Sequence, residues 1–331
     1  MTTCLTSFNQ LYIHSSGEVY PCNFLQNNPL FKLGHIQEKS LKQIWESEEI
    51  KSFRKSHLEN LPSRCKSNQE TFFCHKTNLR PNFDLESIKL RRLDIMLDSR
   101  CNLACIMCTN IFDKTGGLRG DFFWESNHDI FSQLDELELV GGEPVISPYF
   151  NRFVKFVTSI NSHCSWLITT NAHYPLTNEI LNNFNKIKLN SLSISLDSLE
   201  KDIFEKIRKK SNFDLVMNNI NILKKAIPKI FINMVIQKDN CDEVVKMYHW
   251  CQSEGFTFYP ILLLYPDEFS VLKRSDEINK EWILNLIKQN STLKSKEIFF
   301  LIKKAISNLD LLKDKEVLIS YLRHVEAMEG I

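Results

Sequence analysis

The chain has 331 residues, enough for one large domain plus an accessory unit. Lys plus Arg number 41 against 40 Asp plus Glu, which excludes a polybasic nucleic-acid binder or an acidic tail protein as the default class. Apolar residues at 43% exclude wholesale disorder, and no run reaches the ~18 consecutive apolar residues of a membrane span.

In chain order, the opening MTTCLTSFNQLYIH has no basic n-region and no apolar h-region, so no export signal is expected and a cytoplasmic setting is. Residues 1–80 carry Cys4, Cys22, Cys65 and Cys74 and little regular pattern. The exception is the stretch 40–60. There Leu41, Ile44, Trp45, Ile50 and Phe53 recur at helical spacing, with Ser40 placed to cap the start.

Residues 88–265 alternate short apolar runs with amphipathic segments. The spacing predicts strands at Leu93–Leu97, Leu137–Val140, Trp166–Thr170, Leu192–Leu196, Ile230–Ile236 and Thr257–Leu264. Helical patterns lie between most of them, at 147–160, 200–210 and 241–255. Six such alternations predict an α/β fold with a parallel sheet or barrel, whose chemistry gathers at the C-terminal strand ends. Residues 266–331 read as three helices, at 281–287, 297–309 and 315–328, and contain no cysteine.

Ten cysteines are unusual for such a chain, and seven fall in two groups. Without an export signal, such groups read as metal or cluster ligands rather than disulfides. Directly after the first core strand comes DSRCNLACIMC, with Cys101, Cys105 and Cys108 spaced C-x3-C-x2-C. Three thiolates on one loop suit an iron–sulfur cubane with one iron left open to a small molecule. A zinc site completed by a remote ligand is the alternative. The next strand ends in Gly141-Gly142-Glu143-Pro144. Glycine is scarce, nine residues in all, so a glycine pair at a strand end suggests a backbone that a ligand must approach closely, with a tight turn as the alternative.

Together these residues resemble the radical S-adenosylmethionine (SAM) superfamily over about residues 88–265. The resemblance implies a partial (β/α)6 barrel, with Cys101, Cys105 and Cys108 holding a 4Fe–4S cluster whose open iron binds SAM. It implies that Gly141, Gly142, Glu143 and Pro144 meet the methionyl amino group, a role that strand-end carbonyls and a carboxylate can fill. ITTNAH (168–173) places Asn171 in the family's TN position, and LSISLDSLEKDIFEKIR (192–208) resembles the next strand and helix. Ser195 and Asp197 would then lie near the ribose hydroxyls, and Arg208 would pair with the SAM carboxylate. The position before the third cysteine, often aromatic in the family and packed on the adenine, is Met107 here, and a thioether can also pack on a ring.

Residues 1–78 resemble a Twitch domain, the half-size form of the SPASM accessory domain. Cys4, Gly17 and Cys22 meet its C-x9–15-G-x4-C element. The C-x2-C partner expected after Cys65 is replaced by Asn68, and Cys74 matches the later cysteine of the SPASM pattern. The resemblance implies one auxiliary iron–sulfur cluster on Cys4, Cys22, Cys65 and Cys74, with His75 as a substitute ligand; a closed zinc site is the alternative. The domains expected are therefore 1–80 (auxiliary cluster), 88–265 (radical SAM core) and 266–331 (helical extension).

Cys164 and Cys251 read as packing residues. Cys241 follows the strand ending at Ile236, on the face where substrate should lie, and is a candidate hydrogen-atom donor. The lysine pairs at 209–210 and 224–225 lack interleaved aromatics, so no nucleic-acid partner is expected. The family resemblance implies that SAM is cleaved reductively to a 5′-deoxyadenosyl radical that abstracts hydrogen from a substrate, with an external electron donor of flavodoxin or ferredoxin type. The substrate class it favours is a ribosomal peptide, matured by oxidation, crosslinking or epimerisation. The alternatives are a sugar or aminocyclitol alcohol, and a non-catalytic iron–sulfur or zinc protein.

Overall fold

The computed structural model describes residues 6–26, 28–59, 88–108, 118, 122–309 and 314–329. Its strands are β1 (Gln10–Ile13), β2 (Glu18–Tyr20), β3 (Gly34–His35), β4 (Arg92–Met96), β5 (Glu136–Val140), β6 (Ser165–Thr170), β7 (Lys188–Ser195), β8 (Ile230–Ile236) and β9 (Thr257–Leu262). They form a mixed sheet in the order β3-β2-β1-β4-β5-β6-β7-β8-β9. β1–β4, β4–β5, β5–β6 and β8–β9 are parallel, whereas β1–β2 and β2–β3 are antiparallel. A largely parallel sheet with intervening helices is the α/β architecture expected of a partial radical SAM barrel.

Period-two patterning decides which face is covered. In β5, β6 and β8 the fully buried side chains alternate with partly exposed ones, so one face packs under helices. β4 differs: Leu93, Asp94, Ile95 and Met96 are all buried, so both of its faces are covered. Arg92 binds Asp94 at 2.7 Å and also pairs with Glu136 and Glu138 of β5. Gln10 of β1 donates to the other Asp94 oxygen at 2.8 Å.

The helices start where sequence chemistry says. Ser40 accepts from Gln43 N–H while the Gln43 side chain caps back, a complete capping box. Thr177, Asn212 and Ser275 cap the helices Asn178–Lys186, Phe213–Ala226 and Asp276–Leu293. The helical stretch 40–60 is split, however. It forms Leu41–Trp45 and Glu48–Glu59, and the second helix opens on two glutamates suited to its positive end. The C-terminal helices Asp276–Leu293, Lys296–Leu309 and Lys315–Glu329 bury Trp282, Ile283, Ile298, Ile302 and Val317.

Contacts divide the chain into two compact units, residues 1–102, 109–170 and 174–192, and residues 103–108, 171–173 and 193–331. The division passes through the cysteine loop and through β7. Among the described residues, no helix is long and apolar enough to cross a membrane.

Candidate functional site

In the first unit, the end of β5 is built against the segment that leads into the cysteine loop. Gly142 N–H donates to the Asp98 carbonyl and Glu143 N–H to the Arg100 carbonyl, each at 3.0 Å. A Cβ on Gly142 would lie 2.2 Å from the Arg100 carbonyl oxygen, and one on Gly141 would lie 2.4 Å from Met96 Cγ. Gly141 also has φ +117°, which side chains avoid. The glycine pair thus admits the chain's own backbone. Asp98 is 1% exposed; it accepts Arg100 Nε at 2.9 Å, Arg100 N–H at 3.0 Å and Ser147 Oγ at 3.3 Å, and so shapes the turn before Cys101.

Glu143 is fully buried. Its Oε1 accepts Thr170 Oγ1 at 2.7 Å and Val145 N–H at 3.3 Å. Thr170 Oγ1 also lies 3.2 Å from Tyr174 Oη. Burial, and then the charge of Glu143, raise the Tyr174 pKa, so its phenol stays protonated. Pro144 is buried beside this carboxylate.

In the second unit, the cysteine loop is tied to the segment after the helix Lys201–Ile207. Ala104 N–H donates to the Lys209 carbonyl at 2.9 Å, and Ile106 N–H to the Ile207 carbonyl at 3.0 Å. Arg208 is buried between those anchors. Its Nε lies 2.8 Å from Asp197 Oδ2, and its Nη1 donates to Cys105 Sγ at 3.8 Å. Burial opposes its charge, but Asp197 and Cys105 outweigh it and raise the Arg208 pKa. Asp197 is fully buried, and its Oδ1 accepts Val235 N–H at 2.8 Å. The two residues that the sequence assigned to ribose and to the SAM carboxylate therefore pair with each other. Ser195, at the end of β7, and Met107 are partly buried. Asn171 is buried; its side-chain oxygen takes His173 N–H at 2.8 Å.

Cys101 is exposed, Cys105 buried and Cys108 intermediate. Among the described residues no three His, Cys, Asp or Glu side chains form a ready-made metal site. The donor set nevertheless fits the implied groups. Three thiols within eight residues offer soft ligands, a buried guanidinium faces one of them, and a buried carboxylate closes β5 for an ammonium. Cys22 is partly buried at the start of a short 3-10 turn, Asn23–Leu25. Gly17 of the same motif is demanded by packing, since a Cβ there would meet the His35 ring at 2.7 Å. Cys4, Cys65, Cys74 and His75 lie outside the described residues.

Cys241 is 1% exposed. Its thiol lies 3.1 Å from Arg274 Nη1, Trp282 Nε1 donates to its carbonyl, and burial pushes its pKa up to about 11. Cys164 and Cys251 are buried, each with a thiol pushed up to about 12 by burial. Sequence reasoning missed Asp98, Thr170 and Asn240. Asn240 donates to the Asp197 and Val235 carbonyls and accepts Gln237 N–H, bracing the end of β8. The available signal was position: each is a small polar residue at or just past a strand end.

Residues 4–68 match the model of the SPASM iron–sulfur cluster-binding domain, and residues 97–251 match that of the radical SAM superfamily. The chain belongs to the radical SAM superfamily, enzymes that work with a 4Fe–4S cluster and SAM. It also carries an SPASM-type domain for an auxiliary iron–sulfur cluster, placed ahead of the core. The GTP 3′,8-cyclase of Aliarcobacter butzleri is 27% identical over 177 residues, covering 51% of this chain and 54% of the relative. That of Nautilia profundicola is 23% identical over 184 residues, covering 51% and 55%. The chain spans about half the length of the curated relatives it matches. A solved structure of anSMEcpe with bound AdoMet is similar in fold, with TM-score 0.50 and 20% identity over 61% of this chain and 60% of that one.

Proposed function

We propose that the protein modifies a ribosomal peptide by abstracting hydrogen from an unactivated C–H bond. The observation that carries this reading is the joining of an SPASM-type cluster domain, residues 4–68, to a radical SAM core, residues 97–251, in one chain. Cys101, Cys105 and Cys108 are the residues that would hold the SAM-binding cluster, and Cys4, Cys22, Cys65 and Cys74 the auxiliary one. When bound, the first cluster and SAM supply one-electron cleavage of a sulfonium and a radical that takes hydrogen.

This chain's residues prepare that chemistry. Glu143 offers a buried carboxylate to the ammonium of SAM, and Thr170 fixes which way it points. Gly141 and Gly142 let the strand end pack against residues 98–100, the segment that leads into Cys101. Ser195, partly exposed at the end of β7, offers a hydroxyl to the ribose. Asn171 shapes the turn beyond β6, and Met107 brings a polarizable side chain to the adenine. Arg100 and Arg208 are each paired with an aspartate, Asp98 and Asp197.

The test is to reconstitute the chain anaerobically, add dithionite and SAM, and measure 5′-deoxyadenosine alone and with three candidates: peptides encoded beside the gene, GTP, and an aminocyclitol. Stimulated cleavage with a mass change in a peptide is the expected result. Turnover of GTP or of the cyclitol instead would replace the peptide reading. No 5′-deoxyadenosine from a fully loaded chain would remove the enzymatic reading altogether.

A further inference from the structure

Residues 103–108 and 207–209 belong to one unit and are tied by two backbone hydrogen bonds. Between the two anchors, Arg208 is 6% exposed. Behind its guanidinium stands Asp197, itself fully buried and fixed by Val235 N–H. In front stands Cys105 Sγ. A buried cation fixed from behind by a carboxylate can move little, so its N–H remains aimed at the sulfur.

We propose that Arg208 is a positioning residue for the cluster: it holds Cys105 as a thiolate ligand and, with Asp197 behind it, sets the reduction potential of the centre on Cys101, Cys105 and Cys108. The inference rests on the assignment of Cys105 as a ligand. Hydrogen bonds and positive charge at a ligand sulfur favour the reduced, more negative cluster. Removing the guanidinium therefore lowers the potential. Neutralising Asp197 leaves the guanidinium charge uncompensated and raises it. Opposite shifts from the two halves of one ion pair are not what a purely structural role produces.

The experiment uses the full chain, reconstituted anaerobically without SAM, as wild type, Arg208→Met and Asp197→Asn. Iron per chain is measured first, then the potential of the cluster whose electron paramagnetic resonance signal responds to added SAM. Arg208→Met is expected to shift the potential negative and Asp197→Asn positive, at unchanged iron. Both potentials at the wild-type value, with only SAM affinity reduced, overturn the proposal and make Arg208 a nucleotide ligand. Full iron in Cys105→Ala defeats the ligand assignment instead, a separate outcome. Should either ion-pair variant fail to load, wild type grown with 15N-arginine decides. A 15N hyperfine coupling on the reduced cluster, lost in Arg208→Lys, upholds the contact, and no coupling in wild type overturns it.

Discussion

Thr170 Oγ1 donates to Glu143 Oε1 at 2.7 Å, and both side chains are buried. The hydroxyl at the end of β6 therefore fixes the carboxylate at the end of β5. Thr170→Val keeps the shape but removes the shorter of the two hydrogen bonds to that oxygen, leaving the one from Val145 N–H at 3.3 Å. A buried hydrogen bond to a charge contributes about 1.5–3 kcal/mol. If Glu143 receives the SAM ammonium, SAM affinity falls roughly 10- to 100-fold. Calorimetric titration of the reconstituted chain measures it, and Thr170→Ser should recover most of the loss. Equal affinity in all three proteins would take Glu143 out of the SAM site.

Gly142 faces the Arg100 carbonyl so closely that an added methyl would sit 2.2 Å from it. That neighbour is backbone and cannot swing aside. Gly142→Ala should therefore displace the segment that leads into Cys101 from the end of β5 and lower iron loading, while far-ultraviolet circular dichroism stays near wild type. Full iron in that variant would show that the loop can yield.

The core strands were legible in the sequence because each is long enough to display period two. Ile230–Ile236 falls on the predicted residues, and the rest shift by a few at their ends. β1, β2 and β3 have four, three and two residues, too few for any period. Their place in the sheet comes from pairing with a distant partner, Gln10 with Arg92, which no local pattern encodes. The site divides in the same way. Thiol spacing on one loop is local and readable. The Arg208–Cys105 and Asp197–Val235 contacts join residues 103 and 38 positions apart, so the sequence suggested SAM for Arg208 and ribose for Asp197 but not the buried pair they form.

His57 is buried, with Nδ1 3.0 Å from the Phe53 carbonyl, and burial lowers its pKa below the ordinary value. The unfolded chain then binds the proton more tightly, so stability is fully present above about pH 6.5 and falls as the pH drops through that value. Urea unfolding at pH 7.5 and 5.5 should show a loss on acidification that His57→Gln reduces. His324, lowered by the same cause, adds to the slope and survives the substitution. A wild-type chain equally stable at both pH values would contradict this account of both histidines.

Cys241 is a thiol at neutral pH, since burial raises its pKa to about 11, and Arg274 lies against its sulfur. At 1% exposure it is set among Arg274, Trp282 and the Lys238 carbonyl, as a packing residue would be. Cys241→Ala should cost about 1–3 kcal/mol of stability and leave the product and its isotope pattern in deuterated buffer unchanged. A product that loses its solvent deuterium in the variant would instead make this thiol the hydrogen-atom donor.

Iron content tests the auxiliary cluster apart from the first. Two cubanes bring about eight irons per chain and one brings about four. Replacing Cys4 and Cys22 by alanine should remove about half the iron, because Cys101, Cys105 and Cys108 are untouched and lie on a separate loop. SAM cleavage to 5′-deoxyadenosine should remain measurable in the same preparation, while any net oxidation of the substrate that needs the second cluster disappears. Zinc in place of the lost iron would assign Cys4 and Cys22 to a closed tetrahedral site. Loss of all cleavage at half iron would tie the cysteine loop to the integrity of the first zone, whose strand β1 pairs directly with β4.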